Sequence, residues 1–141
     1  MMRKASAHWP GALKDGQGTI STESGTLDGA PYGFASRFED ETTSMATNPE
    51  ELVAAAHAAC FSMALASKLA NVDAIDTTSI VTIEHLPEAG WSITEVHLDV
   101  VVRATGIDRQ TLEKEANDAK LTCPISRLLN GARITMEARL L

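Results

Sequence analysis

The sequence predicts an α+β fold in which strands, one long helix, two further strands, two helices and a last strand follow one another. Three patterns support this prediction. Turn residues recur every few positions in the first forty residues, one long stretch contains neither Gly nor Pro, and the later segments alternate apolar and polar residues. Because strands and helices do not alternate regularly, as they do in parallel α/β proteins, we expect antiparallel sheets.

The first forty residues are predicted to form an antiparallel meander. Turns are marked by pairs such as Pro10-Gly11 and Asp28-Gly29, because Gly, Pro and Asp favour turn conformations. Short stretches suited to strands lie between the turns. These strands are expected at residues 6–9, 18–22 and 34–38.

Residues 48–70 are predicted to form one long helix. Asn48 suits the cap position, Pro49 the first helical position, and Glu50 and Glu51 the positive end of the helix dipole. Eight alanines and several larger apolar residues leave this segment with few polar positions. Such a composition is typical of a helix that is buried on all sides.

The length of this helix predicts an assembly of two chains. A helix of about 34 Å needs more protein around it than one chain of 141 residues supplies. We therefore expect an obligate, intertwined homodimer in which two long central helices are buried together and antiparallel sheets from both chains wrap around them. Obligate interfaces commonly bury more than about 2,000 Å².

Five further elements are predicted after the long helix. Alternating Val, Ile and Leu indicate the strands, and an apolar stripe indicates the first of two helices. The expected elements are strands at 79–86 and 91–104, a helix at 108–120, a short helix at 124–129 and a strand at 133–141. Cys123 would cap the short helix.

Length and composition limit the class of protein. The chain has 141 residues, 44% of them hydrophobic and 22% charged, as expected for one globular domain, 1–141. A net charge of −7 without a basic cluster argues against nucleic acid as a partner. No apolar run reaches the roughly 20 residues that span a bilayer, and the first residues lack the apolar core of a secretory signal. We therefore expect a cytoplasmic protein without membrane association.

Cys60 and Cys123 are the only cysteines. Within an alanine-rich helix, Cys60 most often acts as a small apolar residue, and an apolar site raises the pKa of a thiol. A reactive Cys60 would therefore need a cation or a donor nearby. Cys123, at a helix N-terminus, either only caps the helix or is held there as a thiolate.

Whether the two cysteines can join is left open by the sequence. They lie 63 positions apart, and a disulfide needs Cα atoms within about 4.4–6.8 Å. A reducing compartment disfavours a structural disulfide. The four histidines show no metal-site spacing with the cysteines, so no metal is expected.

Five segments together resemble the OsmC/Ohr family, and within it the OsmC branch. They cover nearly the whole chain and are AHWPG, GTISTESG, PYGFASRFE, NPEELVAAAHAACFSMAL and CPISRLL. The resemblance implies a thiol-dependent peroxidase that reduces organic hydroperoxides to alcohols without a bound cofactor. It implies that Cys60 attacks the peroxide, that Cys123 resolves the sulfenic acid as a disulfide, and that a lipoyl-type dithiol recycles the enzyme.

The resemblance also implies two charged catalytic residues. Glu50 belongs to the NPE segment, and Arg37 belongs to the RFE segment of the OsmC branch. The Ohr branch takes its arginine from an early glycine-rich region, where this chain offers Lys14. Arg37 would favour the Cys60 thiolate and stabilise the leaving alkoxide, and Glu50 would hold the guanidinium by paired hydrogen bonds.

Without the resemblance, both charged residues have simpler interpretations. Arg37 would be a solvated strand residue, and Glu50 a carboxylate that meets only the helix dipole. Glu50 and Cys60 lie about 15 Å apart along one straight helix. They cannot touch there, so either Arg37 bridges the distance or a partner subunit contributes a residue.

Two other functions remain open at this point. The chain can be a non-enzymatic stress or ligand-binding protein whose thiols are inert core residues. It can also be an acyl-transfer enzyme with a Cys–His nucleophile, since His57 lies about one turn before Cys60. No other feature marks a hydrolase, which favours a packed or dimer-interface histidine.

Overall fold

A computed structural model of the chain describes residues 1–39 and 45–141. The described residues form two compact units, Met1–Leu52 and Val53–Leu141. The expectation of a single domain over the whole chain stays a prediction. None of the helices in these two ranges is long and apolar enough to cross a bilayer.

The first unit contains the predicted antiparallel meander. Its strands are β1 (Ala5–His8), β2 (Gln17–Thr22) and β3 (Ala30–Gly33). β2 lies in the middle and pairs with both neighbours in antiparallel register. The meander is therefore confirmed, although its third strand lies before the segment predicted for it.

Residues 34–38 were expected as a strand, and this prediction is wrong. They form the short helix α1 (Phe34–Phe38). The Gly33 N–H donates to Ser36 Oγ, and the Ser36 hydroxyl donates back to the Gly33 carbonyl, both at 3.0 Å. These reciprocal bonds start a helical turn, in which the Phe34 and Phe38 rings meet at 5.1 Å one turn apart.

Helix α2 spans Pro49–Ala66. Asn48 caps it as predicted, since the Glu51 N–H donates to Asn48 Oδ1 at 2.8 Å. The helix ends four residues earlier than expected although no Gly or Pro is present. Its last turn tightens, and Asn71 adopts a left-handed conformation with φ of 52° just before the next strand.

The two sides of α2 differ in burial within the single chain. His57, Phe61 and Leu65 are fully buried on one side. The other side is exposed, and its apolar members are Ala55, Ala56, Ala59, Met63 and Ala66, with 76% of the surface of Met63 accessible. One chain therefore leaves an apolar face of its central helix uncovered.

The second unit contains a three-stranded sheet of β4 (Val72–Leu86), β5 (Gly90–Ala104) and β6 (Arg133–Leu140), in that order. β4 and β5 form a long antiparallel hairpin, which begins seven residues before the predicted strand at 79. β6 instead runs parallel to β5. The expectation of only antiparallel pairs is therefore wrong for this pair, while the α+β class is confirmed.

The parallel pairing follows from the connection between β5 and β6. Parallel strands need a crossover, and here it contains α3 (Arg109–Thr122) and α4 (Pro124–Leu128). α3 packs against β6 and α4. The core of the unit lies between α2, α3 and β5, and its fully buried members are Phe61, Leu65, Leu98, Val100, Val102, Leu112, Ala116 and Ala119. This packing places Cys123, at the junction of α3 and α4, in the interior.

Candidate active site

The two cysteines are neighbours in the second unit. Cys60 lies in α2 and Cys123 between α3 and α4, and the Cys123 thiol donates a hydrogen bond to Cys60 Sγ at 2.7 Å. Both are free thiols; Cys60 is partly exposed, and Cys123 is fully buried. The two sulfur atoms are therefore in contact although 63 positions separate the two residues in the sequence.

The surroundings shift the pKa values of the two thiols in opposite directions. Burial raises the pKa of Cys60, and the hydrogen bond to Cys123 raises it further. Burial also acts to raise the pKa of Cys123, but its hydrogen bonds with Cys60, with Ser126 and with the Ile125 N–H outweigh burial and lower that pKa overall. Within this unit the first negative charge of the pair is therefore favoured on Cys123.

Ser126 is a site residue that the sequence did not reveal. It lies on α4, three residues after Cys123, and it is 4% exposed. His57 Nε2 lies 2.8 Å from Ser126 Oγ. The only sign in the sequence was a polar residue inside CPISRLL, at the position whose N–H and side chain face a helix cap.

His57 is a packed histidine in this structure, as the sequence favoured. It is fully buried, and burial lowers its pKa, so that the ring is neutral near pH 7. Its ring nitrogen contacts Ser126 rather than Cys60. A Ser–His nucleophile is also unsuitable, because neither Ser126 nor His57 presents a reactive surface to an acyl substrate.

Arg37 and Glu50 form an ion pair within the first unit of one chain. Arg37 Nη2 donates to Glu50 Oε1 at 2.8 Å, and Arg37 Nε donates to both carboxylate oxygens at 3.3 Å. The guanidinium carbon also lies 4.9 Å from the centre of the Phe38 ring. Glu50 therefore fixes the orientation of the guanidinium, as paired hydrogen bonds do.

A cavity of about 240 Å³ opens beside this ion pair in the first unit. The Trp9 and Tyr32 rings in its wall lie 5.3 Å apart, and a Cβ atom on Gly18 would overlap the rings of both. Apart from Arg37, the wall is mostly apolar or aromatic and is formed by Trp9, Leu13, Tyr32, Gly33, Phe34 and Phe38. The cavity thus presents one cation beside an apolar surface.

The four predicted site residues therefore form two pairs. Cys60 meets Cys123 in the second unit, and Arg37 meets Glu50 in the first. Sequence patterns did not reveal Ser126 or the aromatic wall around Arg37, because both depend on contacts between distant segments.

The chain matches known proteins over nearly its whole length. Residues 40–138 match the family described as OsmC-like protein. The chain is 46% identical over 142 aligned residues to Peroxiredoxin OsmC of Escherichia coli (strain K12), with 98% of this chain and 96% of that protein covered. Peroxiredoxin OsmC of Shigella flexneri shows the same identity and coverage.

Solved structures agree with these matches. A crystal structure of the organic hydroperoxide resistance protein OsmC from Legionella pneumophila is 26% identical, has a TM-score of 0.71, and aligns over 98% of this chain and 96% of its own. The organic hydroperoxide resistance protein OhrB of Bacillus subtilis is 25% identical, with a TM-score of 0.72 and coverage of 99% and 98%. The resemblance in the sequence motifs is confirmed: this chain belongs to the OsmC family, described as OsmC-like proteins.

Proposed function

We propose that this protein is a thiol peroxidase that reduces organic hydroperoxides to alcohols. The contact between two free thiols, Cys60 and Cys123, carries the proposal. It is supported by the 46% identity to a protein named Peroxiredoxin OsmC. The whole chain, 1–141, would act as one OsmC-like domain.

The proposed reaction consumes one hydroperoxide and two thiols. The Cys60 thiolate attacks the outer peroxide oxygen, the O–O bond breaks, and the alkoxide takes a proton to leave as alcohol. Cys60 is then a sulfenic acid. The Cys123 sulfur attacks it, water leaves, and a Cys60–Cys123 disulfide forms, which protects Cys60 from irreversible oxidation.

Arg37 and Glu50 are proposed to serve the first step. Burial and Cys123 both disfavour a Cys60 thiolate, so a cation is required to offset them. The guanidinium of Arg37 keeps its charge in any environment and can donate to the departing alkoxide. Glu50 would hold that guanidinium in one orientation through the contacts described above.

The cavity beside Arg37 supports an organic peroxide as substrate. Its wall is mostly aromatic, and burying an alkyl or aryl group there is favourable by about 25 cal/mol per Å². Hydrogen peroxide has no such group. The names of the two solved relatives, both organic hydroperoxide resistance proteins, are consistent with this preference.

The cycle requires a dithiol to reopen the disulfide by exchange. We propose a lipoyl-type dithiol, as the family resemblance implies. The cytoplasm keeps such dithiols reduced and is therefore the proposed compartment.

A homodimer is proposed for the active form. The exposed side of α2 presents small apolar residues and Met63 over a helix about 27 Å long. A second copy of the same helix can pack closely on alanine. Two-fold symmetry would give two equivalent sites.

Intact-mass measurement tests the proposed chemistry directly. One equivalent of cumene hydroperoxide should remove two hydrogens from the wild type, whereas Cys123→Ser should gain one oxygen. Turnover with dihydrolipoamide should disappear in Cys60→Ser. Turnover that survives this substitution would refute the proposal.

Alkylation and mass measurement together distinguish the proposed peroxidase from a protein whose thiols are inert core residues. An inert Cys60 would resist iodoacetamide in the folded protein at neutral pH and would show no mass change with peroxide. An oxygen that persists on wild-type Cys60 would instead remove Cys123 as the resolving residue.

A further inference from the structure

Three buried polar side chains follow one another in the second unit and end at the Cys123 sulfur. His57 Nε2 lies 2.8 Å from Ser126 Oγ. Ser126 is the third residue of α4, and Cys123 is the N-cap of the same helix. The Ser126 hydroxyl and N–H lie near enough to the Cys123 sulfur to lower the pKa of Cys123, which places Ser126 between the histidine and the thiol.

The direction of the hydrogen bonds follows from the second ring nitrogen of His57. Its Nδ1 is buried and has no hydrogen-bond partner among residues 1–39 and 45–141. A buried N–H without an acceptor is rarer than an unpaired acceptor, which assigns the proton to Nε2. The Nε2–H then donates to Ser126 Oγ, and the Ser126 hydroxyl is left to donate to Cys123 Sγ.

We propose that His57 and Ser126 are positioning residues that make Cys123 the leaving thiolate when a dithiol reopens the Cys60–Cys123 disulfide. The inference rests on the proposed peroxidase cycle, in which that disulfide forms. It assigns a polarity to the exchange: the reductant attacks Cys60, and Cys123 leaves.

Bonds, electrons and protons are all accounted for in this exchange. One thiolate of the dithiol attacks Cys60 Sγ, the Sγ–Sγ bond breaks, and its electron pair goes to Cys123 Sγ. The second thiol of the reductant then attacks the mixed disulfide, closes a cyclic disulfide and releases Cys60. The dithiol loses two electrons and two protons, and both cysteines end as thiols.

Exposure and charge favour this polarity. Cys60 is partly exposed and Cys123 is fully buried, so an incoming thiolate reaches Cys60. The lower pKa of Cys123, to which Ser126 contributes, makes it the better leaving group. Lys120 and Arg127 are the charged residues in the lining of a cavity to which Ser126 also contributes.

The attacked sulfur is identified by trapping. The disulfide is formed with diamide, so that the test does not depend on peroxide turnover, and the protein is treated briefly with N-acetylcysteine and then iodoacetamide. Peptide mass mapping of the wild type should find N-acetylcysteine on Cys60 and the carbamidomethyl group on Cys123. The reverse distribution would overturn the inference even if the peroxidase activity is confirmed.

Substitutions then test the two positioning residues. In a Cys60→Ser background, Ser126→Ala should shift the pH midpoint of Cys123 alkylation upward by about one pH unit, and Ser126→Thr, which keeps the hydroxyl, should restore it. His57→Leu should also raise the pH midpoint of Cys123 alkylation, but by less than Ser126→Ala does. His57→Gln keeps an N–H donor and should therefore raise the midpoint less than His57→Leu. Unchanged midpoints in Ser126→Ala and His57→Leu would overturn the assignment.

The rate of reopening provides a second readout. With the diamide-formed disulfide and dithiothreitol, Ser126→Ala should slow reduction by about threefold, as a fractional dependence of the rate on the leaving-group pKa implies, and Ser126→Thr should recover most of the rate. High salt should not abolish the difference, because it does not arise from the exposed cation Arg127. If Ser126→Ala does not fold, trapping in the wild type still decides the polarity.

Discussion

Arg37 and Glu50 meet through three nitrogen–oxygen contacts, the shortest of which joins Arg37 Nη2 to Glu50 Oε1 at 2.8 Å. The two partners differ in burial: the Glu50 side chain is 11% exposed, whereas the Arg37 side chain is 37% exposed. The carboxylate is therefore the anchored end of the pair, and the guanidinium is the end that solvent can reach.

Arg37→Lys should lower kcat/KM for cumene hydroperoxide by about a hundredfold. A lysine keeps the charge but cannot reproduce the fork of contacts to Glu50. The matched control is Arg109→Lys, since Arg109 pairs with Glu113 on an exposed helix surface, and it should change kcat/KM by less than about twofold. Equal activities of the two variants would remove Arg37 from the proposed site.

Substitution of either cysteine should shift the pKa of the other in a predictable direction. Cys123 raises the pKa of Cys60, so Cys123→Ala should lower the pH midpoint of Cys60 alkylation. The Cys60 thiol helps to lower the pKa of Cys123, so Cys60→Ala should raise the midpoint for Cys123. Iodoacetamide rates measured from pH 5 to 10 check both, and two shifts of the same sign would contradict the described contact.

The buried His57 should make the free energy of unfolding depend on pH. Burial lowers its folded pKa below the ordinary value of 6.5, so the unfolded chain binds more protons between the two values. Stability should therefore be fully present above about pH 6.5 and fall as the pH decreases toward the folded pKa. Urea unfolding at pH 5.5, 6.5 and 7.5 should show a slope that His57→Gln reduces and that His8→Gln, at an exposed position, does not.

Ala56→Glu should disrupt the proposed homodimer. Ala56 lies on the exposed side of α2, and a carboxylate buried between two such helices would be unpaired. Sedimentation at micromolar concentration should show a dimer for the wild type and for Ala89→Glu, a hairpin-turn control, and a monomer for Ala56→Glu. A wild type that sediments as a folded, active monomer would remove the dimer from the proposal.

The sequence predicted the elements whose signals are local. Asn48 caps its helix as expected, because a cap depends on neighbouring residues. The segment 34–38 was assigned to the wrong structure, since five residues are too few for periodicity to separate a strand from a helix that Gly33 and Ser36 initiate. Local patterns also could not give the parallel pairing of β6, which depends on a crossover.

The residues of the site, like the elements of the fold, could be predicted only where a local motif marks them. Motifs identified Cys60 and Cys123 as candidates, but their contact depends on the packing of three helices. Ser126 was missed because its role comes from His57, 69 positions away in the chain. The catalytic roles predicted for Arg37 and Glu50 came from the family resemblance, since a lone Arg or Glu has no distinctive pattern of its own.

The parallel pairing of β6 with β5 has a consequence for biosynthesis. α3, which leads directly into Cys123, packs on β6, so the cysteine gains its full support only when residues 133–140 have joined the sheet. Until residues 133–140 have left the ribosome, α3 lacks the strand on which it packs, so we expect the contact between Cys60 and Cys123 to form only after translation of the last strand.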